Sequence, residues 1–192
     1  MTLILRAAAL TMALTLLAAC ASVTTINPIG VSKGEVGDDR LMGSWKFIPS
    51  NKDAKEEAYA FLLSRETGGI TGLIVIPSDN EWWEAEVVAG KTGDHPMLNV
   101  RPLKKNGVDI EGGDKIEGYF PLRYSVGADG NIALFMSSQD AMKDAVQQGR
   151  IAGRASTADI VLTAKPDALD SFFADMAPVI FSEPYATLER VK

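Results

Sequence analysis

One thiol, Cys20, and one imidazole, His95, are all that this 192-residue chain offers to soft-metal or histidine chemistry. A lone cysteine cannot pair within its own chain, so Cys20 stands as a reactive thiol. A Cys/His zinc cluster is excluded, and no metal is expected. His95 lies in Gly93-Asp94-His95-Pro96. With Asp94 and a serine it could be drawn as a hydrolase triad. The sequence has no Gly-x-Ser-x-Gly elbow, however, and the tetrapeptide reads as a solvated turn. Glu81, Glu84 and Glu86 could supply carboxylates for glycoside chemistry or calcium, but Glu84 and Glu86 alternate onto one side of a strand, as a solvent face does. Asp109 to Asp114 lacks the ligand spacing of a calcium loop. Gly127-Ala128-Asp129-Gly130 reads as a hairpin turn. No catalytic residue is expected.

The setting of Cys20 gives its thiol a task. The chain opens MTLILR, and an apolar block runs from Ala7 to Ala19. Counted to Ala21 it is about 15 residues, short of the roughly 20 that a helix needs to cross a bilayer. A charged start, an apolar centre of this length and a small-residue end make a secretory signal peptide over 1–19. Leu17-Ala18-Ala19-Cys20 resembles the lipobox of bacterial lipoproteins. The resemblance implies diacylglycerol on the Cys20 thiol, cleavage before it, and a further acyl chain (palmitate or similar) on the new N-terminus. No other cofactor is expected. At ~0.8 kcal/mol per buried methylene, several chains make the attachment effectively permanent. Ala21 and Ser22 replace the Asp that retains such proteins at the inner membrane. For a Gram-negative source this implies the periplasmic face of the outer membrane.

From Ala21 to about Asp39 the residues ASVTTINPIGVSKGEVGDD sustain no apolar period. They read as a flexible tether over 20–39, with a root-mean-square reach of roughly 25 Å. About 150 residues remain over 40–192, the size of one domain with its own core. Without Arg6, the 19 basic residues become 18 against 25 acidic ones, a net charge of −7. That argues against nucleic acid as a partner and against adhesion of the domain to anionic lipid.

The domain must therefore be built from its patterning, which is mainly β. Segments 44–48, 58–64, 70–76, 81–89, 97–103, 115–126 and 131–137 read as short strands separated by tight turns, an antiparallel barrel or sandwich. Ser138 caps a helix closed by Gly149. A strand over 158–163 leads to a second helix that begins near Pro166, carries Leu169, Phe172, Phe173 and Met176 on one stripe, and ends at Pro178. Residues 185–191 form a closing strand beside the first, leaving no open sheet edge.

Gly43-x-Trp45 on the first strand resembles the Gly-x-Trp signature of lipocalins and related calycin barrels. The order Leu98-Asn99-Val100-Arg101, Tyr119 to Val126, strand, helix, strand, helix, last strand is similar to bacterial lipocalin-like barrel lipoproteins of no assigned activity. The resemblance implies a lipocalin-like closed or half-open barrel, with Trp45 plugging one end and two accessory helices before the last strand. If the sheet curls, Trp45, Phe61, Trp83, Phe120, Tyr124 and Phe135 form its core or line a pocket. Trp82 faces the other way and marks a candidate partner surface. The expected function is a lipid-anchored, non-catalytic interaction domain for an envelope protein. A carrier of a small apolar ligand is the alternative, and an envelope hydrolase stands third.

Overall fold

A computed structural model describes residues 22–34, 37–51, 57–65, 69–110, 118–156 and 159–191. The signal segment and Cys20 lie outside the described residues. The strands are β1 (Ser22–Thr25), β2 (Gly43–Pro49), β3 (Ala58–Ser64), β4 (Ile70–Ile76), β5 (Glu81–Thr92), β6 (His95–Lys105), β7 (Val108–Asp109), β8 (Phe120–Val126), β9 (Ile132–Met136), β10 (Gly153–Ala155), β11 (Asp159–Leu162) and β12 (Pro184–Arg190). Two helices, α1 (Gln139–Gln147) and α2 (Pro166–Ile180), flank β10 and β11.

Eight strands close into an antiparallel barrel in the order β2-β3-β4-β5-β6-β8-β9-β12, with β12 returning to β2. The barrel is a meander apart from one excursion, in which α1, β10, β11 and α2 intervene between β9 and β12. β7 adds a short extra strand beside β6. This closed, mainly β architecture is compatible with a lipocalin-like fold. Full closure leaves the barrel without an edge to aggregate through.

The period of two sorts side chains to the two faces of the wall. Inside lie Trp45, Leu62, Val87, Leu98, Ile132 and Leu188, in one core. A second core fills the space between the outer wall and the helical layer: Met97 from β6, Ile160 and Leu162 from β11, Met142 from α1, and Leu169 and Phe173 from α2. Ser138 caps α1 by accepting from the Ala141 N–H.

The tether expectation is corrected for the described part of 20–39. Val23, Thr24 and Thr25 are buried, and β1 pairs in parallel with β11. Ile29 is wholly buried; its N–H donates to Asn99 Oδ1 at 2.7 Å, and Asn99 Nδ2 donates back to its carbonyl at 2.9 Å. Gly30 and Gly90 let two backbones touch: a Cβ on Gly90 would meet the Ile29 carbonyl oxygen at 2.5 Å. The polar, Pro- and Gly-containing composition reads as linker, yet three consecutive residues of high β-propensity, Val23-Thr24-Thr25, complete a sheet.

Pro178 does not end the second helix; α2 continues to Ile180. The proline removes one N–H donor in the last turn only, while Ile180 and Phe181 just beyond it are each 1% exposed. The gain from burying them outweighs that loss. The long strand expected over 115–126 begins at Phe120 among the described residues, and Tyr119 forms an isolated bridge to Thr25.

Candidate functional site: a plugged end and an open end

At one end the short helical turn Asp39–Leu41 lies across the barrel. Leu41 is wholly buried, and the Trp45 Nε1–H donates to its carbonyl at 2.8 Å. Arg190, the cross-strand partner of Trp45, lays its guanidinium 4.3 Å from the indole and donates to the Met42 and Arg40 carbonyls. Gly43 makes room for it, since a Cβ there would stand 2.6 Å from Arg190 Nη1. Asp38 accepts from Arg40 Nε and Nη2, both at 2.8 Å, and from the Tyr124 hydroxyl at 2.8 Å. The Arg40 hydrogen bonds hold the Asp38 carboxyl below its ordinary value against the opposing effect of burial, and Tyr124 adds to the lowering. Burial first, then the facing Asp38, pushes the Tyr124 hydroxyl above its ordinary value. This end is sealed by packing and by satisfied polar groups.

The opposite end differs. Cross-strand pairs share a face, so Trp45↔Ala60, Ala60↔Ile74 and Ile74↔Trp83 set one inward row that climbs from the plug towards the other mouth. Val100↔Phe120 and Leu122 continue the lining. Phe47, Ile74, Trp83, Val100, Phe120 and Leu122 are only half-buried, although each projects inward. Among the described residues, apolar surface at this end is thus only partly covered, Phe47 by the Tyr185 ring at 5.8 Å between centroids. At the rim the Lys105 ammonium lies 5.0 Å from the Trp83 ring centroid and 2.7 Å from Glu81 Oε1. The buried Trp83 Nε1 has no hydrogen-bond partner among the described residues.

Of the six aromatics singled out in the sequence, the barrel brings Trp45, Trp83, Phe120 and Tyr124 to its interior. Phe61 and Phe135 stand on its outer face. Phe135 packs against the second core, under the Arg123 guanidinium at 3.7 Å. Arg123 donates to the Phe181 carbonyl at 3.1 Å, capping the end of α2, and its burial lowers its pKa. Nothing in the sequence flagged Arg123, because its partners come from another layer.

The outer wall of β3, β4 and β5 carries two further rows, Tyr59↔Val75↔Trp82 and Phe61↔Leu73↔Glu84. Trp82 is 37% exposed and Leu63, beside them, 62%. The three glutamates are each engaged by cations: Glu81 by Lys105, Glu84 by Lys104 at 3.3 Å, and Glu86 by Arg101 and Arg65. His95 opens β6 opposite Thr92, directly after the Gly93–Asp94 turn. Among the described residues no three His, Cys, Asp or Glu side chains converge as a metal site, and no helix is long and apolar enough to cross a membrane.

Compared with known proteins, the chain matches no family model, no curated protein and no solved structure.

Proposed function

We propose that this is a lipid-anchored envelope protein whose non-catalytic barrel holds a small apolar molecule at its open end. The observation that carries this is the half-buried inner wall around Phe47, Ile74, Trp83, Phe120 and Leu122, opposite an end sealed by Trp45. Each ligand methylene moved from water to that wall contributes ~0.8 kcal/mol before the costs of ordering. The anchor is Cys20, read from Leu17-Ala18-Ala19-Cys20 and the apolar run before it. The outer membrane's periplasmic face is the location this reading assigns.

Two variants test the two halves. Cys20→Ser removes the acylated thiol and should release the protein from membranes into the soluble fraction; a product that stays membrane-bound and processed like wild type overturns the anchor. Ala60→Phe sets a ring in the inward row between Trp45 and Ile74. Binding of anilinonaphthalene sulfonate, competed by palmitate, should be saturable in wild type and lost in this variant. Dye binding that Ala60→Phe leaves unchanged overturns the open-end site.

A second reading, a protein partner docked on the outer wall, is favoured by one feature: the exposed Trp82 and Leu63 on a face whose neighbours Tyr59, Phe61, Leu73 and Val75 are also apolar. Exposed apolar surface of this kind marks interaction sites.

A further inference from the structure

The distance between anchor and body follows from where β1 begins. Ser22 is already in register with Asp159, and its Oγ donates to Asp159 Oδ1 at 3.0 Å. Val23, Thr24 and Thr25 behind it are 6%, 5% and 0% exposed. Peeling the strand away would expose these side chains and break its pairing with β11, so the chain is fixed to the body from Ser22 onward. Cys20 precedes Ser22 by two residues, which span at most about 7 Å of extended chain.

We infer that the domain is held flush against the lipid headgroups, with the β1–β11 edge at Ser22 and Asp159 facing the membrane, and does not swing on a tether. This rests on the acylation of Cys20 proposed above. The remaining geometry is covalent length and strand pairing. β1 meets the barrel at β8, where Tyr119 bridges Thr25, and β3 lies across the barrel from β8. The apolar wall around Leu63 and Phe61 is thus on the side of the barrel remote from the anchored strand β1.

Headgroup quenching of a site-attached fluorophore tests this. The full acylated chain is reconstituted in phosphatidylethanolamine–phosphatidylglycerol vesicles containing a nitroxide-headgroup lipid. With Cys20 acylated, an introduced thiol is the reactive one, placed by Asp159→Cys or by Leu63→Cys. Arg154→Cys, on the neighbouring β10, serves as a second near site should Asp159→Cys disturb the strand pair. The near probes should lose most of their emission and the Leu63→Cys probe little. Inserting about twenty Gly and Ser residues between Ala21 and Ser22, roughly 25 Å of reach, should abolish the contrast. Near and far probes quenched alike on a protein whose N-terminal peptide carries acyl mass would overturn flush docking and leave the anchor standing. An N-terminal peptide without acyl mass would overturn both.

Discussion

At one end of the barrel Trp45 is wholly buried and its indole N–H is spent on the Leu41 carbonyl; at the other, Trp83 is half-buried and its buried N–H lacks a partner among the described residues. Both belong to the same inward row, three strands apart. The difference comes from what lies beyond each mouth. The Asp39–Leu41 turn and Arg190 close over Trp45, and Asp38 links that turn to Tyr124. Over Trp83 stands a rim ion pair, Lys105 with Glu81. One end is therefore closed by its own packing, while at the other the inward apolar side chains stay only half-buried among the described residues.

The largest effect should separate the two ends directly. Trp45→Ala removes a fully buried indole and should destabilise the fold by about 3–5 kcal/mol, seen as a lower urea midpoint. Phe120→Ala at the open end should cost only about 1 kcal/mol, because its ring is half-buried already. The same variant should weaken palmitate binding about tenfold. Equal destabilisation by the two variants would erase the distinction between plug and mouth.

A smaller effect concerns pH at the plugged end. Asp38 has a lowered folded-state pKa, so its contribution is present above the unfolded carboxylate value of about 3.9 and is lost as pH falls through the folded value. Tyr124 is raised, which gives the opposite sign: its contribution is full below pH of about 10 and declines as pH climbs beyond it. Asp38→Asn should flatten the acid limb of a stability–pH curve, and Tyr124→Phe the alkaline limb. Phe120→Ala should change neither limb. Denaturant titrations across the pH range read this out.

Much of the barrel was legible because alternation and turn residues are local. The strands over 58–64 and 70–76 coincide with β3 and β4, and Ser138 caps α1 as its sequence implies. Gly43-x-Trp45 likewise pointed to the plug. What escaped was non-local. The burial of β1 depends on β11, more than a hundred residues away, and on Asn99 reaching the Ile29 backbone. Phe61 and Phe135 sit in strands that are apolar at both parities, AYAFLLS and IALFM, so only the pairing of each strand with its neighbours decides which parity turns inward. Half-burial of the inner wall depends on how eight strands close, which no single segment encodes.

Methyl NMR during a palmitate titration tests the contrast between the two ends most directly. Resonances of Ile74, Val100 and Leu122 should shift saturably, while those of Leu41 and Ile132 around the plug stay in place. Shifts confined to the outer-wall methyls of Leu73 and Val75, or no saturable shift at all, would contradict a ligand site inside the open end.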